Sequence, residues 1–254
     1  MPEISSELLT FMAIGFFAQL VDGALGMAFG VISSTILLSV GQAPAVVSAS
    51  VHTAEMFVTA FSAGSHIYFK NVNWKLCLPL AALGALGGIF GATLLANVDG
   101  DAIKPFISVY LFLLGLFILW KATLKAKETP PSLLPVTHVS ALGLIGGAMD
   151  ACGGGGWGPI VTSNLIARGD NPRMVIGSVN TSEFIVTTAI TLAFVTTLGF
   201  HFSEVVIGLL LGGIVAAPLG AIVLRKVSAK TVMYMVGTLI TGLSLWQIVK
   251  LLSV

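Results

Sequence analysis

Charge is what this sequence has least of. Asp, Glu, Lys and Arg make up only 9% of its 254 residues, where soluble domains carry roughly a quarter. The net charge is +1 and there is no basic tract, which argues against a nucleic-acid partner. No P-loop or other nucleotide motif occurs, so ATP-driven work by this chain alone is not expected. Cysteine is scarce as well. Cys77 and Cys152 have no matching spacing, so neither a disulfide nor a metal framework is indicated, and no cofactor is expected. The stretch Met1–Glu7 lacks the basic n-region of a cleaved signal peptide.

What fills the chain is apolar: 56% of it is hydrophobic. Hydrophobic segments run over roughly 8–40, 44–69, 75–97, 102–122, 137–167, 172–199, 204–225 and 229–251. Apolar stretches of this length mark a polytopic membrane protein, all-α in class. A polar linker near 123–136, rich in lysine and proline, divides a first membrane repeat (1–122) from a second (137–254).

The two halves match. Shifting the first by 128 positions lays 15–59 on 143–187 without a gap, with 15 of 45 positions identical. Asp22 falls on Asp150, Gly26 on Gly154, Gly30 on Gly158 and Pro44 on Pro172. Ser50-Val51-His52-Thr53-Ala54-Glu55 falls on Ser178-Val179-Asn180-Thr181-Ser182-Glu183. Such internal duplication is common among transporters.

Each half opens on an apolar segment interrupted by glycine. In the second the interruption is Gly153-Gly154-Gly155-Gly156, followed by Trp157, Gly158 and Pro159. Four glycines are costly in a helix, and Pro159 suits a first helical turn. The expectation is a helix that stops, a short run of exposed backbone, and a second helix. N–H groups at that second start, with the positive end of its dipole, would suit an anion.

Each broken segment either crosses as a bent helix or returns as a re-entrant hairpin. If both cross, the twelve Lys and Arg residues divide evenly between the two sides. If both are hairpins, only Lys104 and Lys250 fall on the minority side, the arrangement the positive-inside rule prefers. One hairpin and three spans per half then make the repeats inverted, with both termini outside. The hairpin tips would meet near the midplane, where transporters bind substrate.

Glu55 and Glu183 lie about 17 Å along their helices from Pro44 and Pro172, near mid-bilayer. An ionisable group there is costly and points to function, such as proton coupling, or else to support of the hairpin backbone. His52 and Asn180 lie one turn earlier on the same face; His52 is a candidate proton relay. Asp22 and Asp150 precede the breaks and read as caps of the following helices, or as a coupling site. Gly26, Gly30, Gly153, Gly154, Gly155, Gly156 and Gly158 are candidate backbone ligands, with Trp157 as a wall. Ser50, Thr53, Ser178, Thr181 and Ser182 offer hydroxyl donors. No metal-ligand spacing is present. Two readings compete: a transporter of another small anion or a metal ion with the same architecture, and an intramembrane enzyme with Asp22 and Asp150 as a catalytic pair, which the flanking glycines disfavour.

The paired motifs carry a resemblance. Asp-Gly-x-x-Gly-Met-x-x-Gly at 22–30, the four-glycine run, and the pattern Pro-x-x-x-x-x-Ser-Val-[His/Asn]-Thr-x-Glu at 44–55 and 172–183 resemble the TauE/SafE sulfite exporter family. The resemblance covers nearly the whole chain. It implies a non-enzymatic transporter of a small sulfur-containing anion (sulfite, a sulfonate or sulfoacetate) in the bacterial inner membrane. Its partners would be that anion and the lipid bilayer, with homodimer formation left open. It also implies that the amides of the 22–30 and 150–158 stretches are the anion ligands.

Overall fold

The structure, a computed structural model, describes residues 5–25, 27–124, 135–166, 172–199, 203–226 and 228–253. Gly26 and most of the polar linker lie outside these residues. Every regular element among them is helical: α1 (Ser6–Leu25), α2 (Phe29–Ser39), α3 (Pro44–Tyr68), α4 (Trp74–Asn97), α5 (Gly100–Thr123), α6 (Val136–Gly153), a π-helical turn (Gly158–Thr162) running into α7 (Ser163–Ile166), α8 (Pro172–Leu198), α9 (Glu204–Lys226) and α10 (Ala229–Leu252).

The ends of these helices follow from local chemistry. Pro44 opens α3, where its fixed φ and missing N–H cost nothing. Asn73, Asp99 and Ser228 cap α4, α5 and α10 by accepting from the N–H groups of Lys75, Asp101 and Thr231 at 3.0–3.1 Å. α6 stops at Gly154, whose φ of 70° is left-handed; its N–H returns to the Asp150 carbonyl. A residue with a Cβ is strained there, and glycine is not.

Four of these helices are long and apolar enough to cross a membrane, at 74–97, 100–123, 174–198 and 230–252. The polar residues of α3 keep it out of that set. At 25 residues it is still about 37 Å long and runs the full depth of the bundle.

Contacts between helices fix their directions. α1 lies parallel to α9: Ser5 donates to Glu204 at 2.8 Å, Phe11 packs on Gly208 and Met12 on Gly212. α6 lies parallel to α4 through Leu144 on Gly87 and Ala148 on Gly91. In both pairs glycine lets backbone meet backbone, the membrane substitute for hydrophobic attraction. α8 is also parallel to α4, with Val186 beside Gly84 and Ile190 beside Gly88.

The helices that correspond by the 128-residue shift run antiparallel to each other. Thr59 meets its own counterpart Thr187 at 3.4 Å, while Ser62 pairs with Asn180 lower on α8. In the same way Gly115 of α5 meets Thr241 of α10, and Ser108 reaches Gln247 at 3.1 Å.

Each broken segment therefore folds back. Ser5 and Val46 both lie at the Glu204 end of the bundle, since Val46 and Ser50 line a cavity with Ser203 and Val206. Gly143 and Ser178 both lie at the Trp74 end, beside Leu80 and Asn73. The two hairpins enter from opposite ends, and each packs on a helix of the other half.

Candidate functional site

The hairpin tips touch in the middle of the bundle. A methyl group on Gly30 would sit 2.9 Å from the Gly155 Cα, and one on Gly155 would overlap the Gly30 backbone. A Cβ on Gly158 would meet Met27 at 2.5 Å. Ser34 of α2 donates to the Gly154 carbonyl across the same contact. Chain separations of 120 residues and more are closed here at glycine backbone, which is what removing Cβ permits.

Aspartates hold both tips. Asp22 Oδ1 accepts from Ala28 N at 2.7 Å and from Phe29 N at 3.2 Å, at the start of α2. Asp150 Oδ1 accepts from Trp157 N at 2.9 Å, bridging the glycine run. The Glu55 carboxyl lies beside Gly30, 3.5 Å from where a Cβ would stand. The amides of Ala28, Phe29 and Trp157, which open the return helices, thus have carboxyl partners within the protein. Nor is the four-glycine run spare backbone. Gly153 and Gly156 make room for Tyr110, Gly154 for Ser34 and Gly155 for Gly30. Each of the four glycines faces a close neighbour across the tip.

Asp150 has a second partner. Its Oδ2 lies 3.1 Å from His52 Nε2, both groups being buried. His52 Nδ1 is 2.8 Å from the Ser48 carbonyl, an acceptor only, so Nδ1 carries hydrogen. A hydrogen bond between Nε2 and Oδ2 then needs one more proton, on either the ring or the carboxyl. Ser48 completes the chain by donating to the Ala151 carbonyl at 2.6 Å. The second half lacks this arrangement: Asn180, the counterpart of His52, donates to Ser62 at 3.1 Å.

Between the tips is a small cavity of about 10 Å³, lined by Met27, Gly30, Glu55, Gly156, Trp157 and Glu183 among others. That is room for about one water. Asp150 and Gly158 also border it, and Glu55 and Glu183 each lie within electrostatic reach of Asp22 and Asp150. Trp157 is fully buried, with its indole N–H unpartnered. Among the described residues no group of three or more His, Cys, Asp or Glu could hold a metal ion.

The hydroxyls singled out by sequence lie elsewhere. Ser50 and Thr53 line a separate cavity of about 250 Å³ at the Glu204 end. Ser178 donates to the Met174 carbonyl and accepts from Asn73 N. Thr181 and Ser182 donate to carbonyls of their own helix. The helical period explains this, because only the Ser48–His52–Glu55 face of α3 meets the tips. Ser48 was legible as the residue one turn before His52, and Ser34 as the counterpart of Thr162. Tyr110 carried no signal, because it arrives from α5.

Residues 11–246 match the family Sulfite exporter TauE/SafE. The chain is 42% identical over 240 residues to "Probable membrane transporter protein YtnM" of Bacillus subtilis (strain 168), covering 91% of this chain and 79% of that protein. "Probable membrane transporter protein ORF9" of Sinorhizobium sp is 25% identical over 58% of each chain. "Probable membrane transporter protein YdhB" of Bacillus subtilis (strain 168) is 28% identical over 57% of this chain and 59% of its own. No solved structure matches. With apolar helices long enough to span a bilayer and a family match over nearly its whole length, this chain is a multi-pass membrane transporter belonging to the TauE/SafE sulfite exporter family.

Proposed function

We propose that the chain is a secondary transporter that exports sulfite or a related small organosulfonate across the bacterial inner membrane by alternating access, with protons moving alongside. The observation that carries this reading is the small cavity between two oppositely entering hairpin tips, lined by Glu55, Glu183 and Asp150. Opposed broken helices at a repeat interface are where transporters bind cargo. The antiparallel pairing of α3 with α8 and of α5 with α10 supports inverted repeats. Positive charge supports an orientation: Lys70, Lys75, Lys121 and Lys230 belong to the Trp74 end, and Lys104 and Lys250 to the other. The Trp74 end then faces the cytoplasm and both termini face outside.

Charge makes the proton part of the transport step. Four carboxyl groups and one imidazole surround a site in a low-dielectric bundle, where unpaired charge is expensive. An anion added to ionised carboxylates is repelled; added with protons it replaces them as acceptor for the tip amides. At about 10 Å³ the cavity is too small for a sulfur oxyanion, so loading requires the tips to part. The cavity-lining glycines (Gly30, Gly156 and Gly158) and Trp157 would then contact the anion, Glu55, Glu183 and the His52–Asp150 pair would hold the protons, and Asp22 would keep the first tip closed.

The test is calorimetry on purified protein with sulfite, sulfate, taurine, sulfoacetate and Ni²⁺, run in two buffers of different ionisation enthalpy. The expected result is saturable sulfite binding with proton uptake. Glu55→Gln should keep the binding and lower the uptake, and Gly30→Ala should abolish binding while the protein remains folded. A sulfonate binding alone would change the cargo and keep the mechanism. The carboxylate lining favours one other reading, a cation as cargo; binding of Ni²⁺ and of no anion would establish that instead.

A further inference from the structure

We infer that a groove between α1, α2 and α10 binds one acyl chain of an anionic phospholipid, whose headgroup is held by Lys230. The site goes beyond the transport reading and does not depend on which cargo the protein carries.

The groove has a volume of about 740 Å³ and is lined by Phe17, Val21, Ile32, Ile36, Met235 and Leu239 among others. Phe17 and Met235 are exposed, and α10 is long and apolar enough to cross a membrane. In a bilayer this surface meets lipid tails rather than water. The groove follows from the shortness of α2. Gln247 of α10 donates to the Thr35 carbonyl of α2 at 3.2 Å, and the two helices run in the same direction. Phe29, the first residue of α2, lies about 9 Å before Thr35; Met235 lies about 18 Å before Gln247. So α2 starts roughly 9 Å short of Met235, and the groove extends past its start towards the Trp74 end.

Charge at the mouth of the groove selects the kind of lipid. Lys230 Nζ lies 5.9 Å from the ring centroid of Tyr234, which also lines the groove. Lys230 stands in the first turn of α10, at the positive end of the helix dipole, where an anion is favoured and a second cation is not. An anion above an apolar channel is the chemistry of an acidic phospholipid. The other half shows what happens when the protein fills such a space itself. The 128-residue shift lays Ile32 on Ile160, Ile36 on Asn164 and Tyr110 on Thr238. Ile160, Asn164 and Tyr110 line the corresponding groove, which measures only about 240 Å³. There the Tyr110 ring reaches in to Gly153 and Gly156, whereas Thr238 brings no ring and leaves its groove for a ligand. Ile32 and Ile36 share α2 with Gly30, so a lipid tail behind them backs the first hairpin tip against Gly155.

Thermal unfolding of the purified protein in mixed micelles, without any cargo, tests this. The probes are phosphatidylglycerol and phosphatidylcholine carrying the same acyl chains. Phosphatidylglycerol is expected to raise the unfolding midpoint saturably and to act at about fivefold lower concentration than phosphatidylcholine. Lys230→Gln should abolish that preference and keep the response to the acyl chain. Thr238→Phe, which brings a ring to the position that Tyr110 holds in the other half, should remove the response to both lipids. Leu86→Phe, on an exposed face of α4, should leave the response as it is. Native mass spectrometry covers the case in which Thr238→Phe does not fold: the parent should retain one phosphatidylglycerol per chain, and Lys230→Gln about fivefold less. A preference for phosphatidylglycerol that survives Lys230→Gln, or a lipid response that survives Thr238→Phe, overturns the site. So does a dimer by light scattering that shows no lipid response, which would assign the groove to a second copy of the chain. Failure of sulfite to bind would leave each of these outcomes unchanged.

Discussion

Asp150 shows how much a single side chain carries here. One oxygen holds the Trp157 amide and so closes the glycine turn; the other meets His52. Replacing it tests these roles separately. Asp150→Asn keeps an acceptor for Trp157 N–H and offers an N–H₂ to the neutral His52 Nε2, so both contacts survive without the charge. Asp150→Ala leaves two buried polar groups unpaired, at roughly 1–3 kcal/mol each. Thermal unfolding in detergent should therefore show Asp150→Asn close to the parent and Asp150→Ala markedly lower. Equal loss in both variants would mean that charge, not hydrogen bonding, holds the tip. The sequence announced Asp150 as a cap through its place before the break. It gave no sign of His52 as partner, because the two are 98 positions apart and meet only when α3 packs on α6.

At the scale of elements, the hairpins are governed by glycine, whose meaning changes with position. Gly30 and Gly155 form the tip contact, so Gly30→Ala should cost about 1–3 kcal/mol through overpacking and separate the tips. Gly64 lies in α3 with nothing within 4 Å of its would-be Cβ. There Gly64→Ala should stabilise by up to about 1 kcal/mol, since alanine loses less backbone freedom in a helix. Opposite shifts in unfolding midpoint would support this assignment; a shared sign would refute it. Periodicity and the proline and glycine signals were enough to locate each hairpin break and each long helix. They could not tell a glycine that packs from one that presents its amide, because that depends on what lies opposite. Tyr110, Ser34 and Met27 come from other elements, and it is they that occupy the space beside Gly153, Gly154, Gly156 and Gly158.

Across the whole molecule, the exchange of partners between halves is the dominant feature. α1 packs on α9 and α6 on α4, so neither half can bury its hairpin alone. Residues 1–124 or 135–254 expressed singly should be degraded or aggregated, whereas co-expression should restore a co-purifying, cooperatively unfolding pair. Either half folding stably alone would contradict this dependence.

The sequence by itself determined the membrane class, the duplication, the two breaks and the family motifs. All of these rest on composition, period and local backbone preference, which are properties of neighbouring residues. Only the tertiary structure decided that Gly30 meets Gly155 at the tips, that His52 pairs with Asp150 across the halves, and that the Asn71 carbonyl rests on Gly177. These depend on residues about 100 or more positions apart along the chain being brought within bonding distance. Such proximity follows from how the helices pack, and the order of residues along the chain does not contain it.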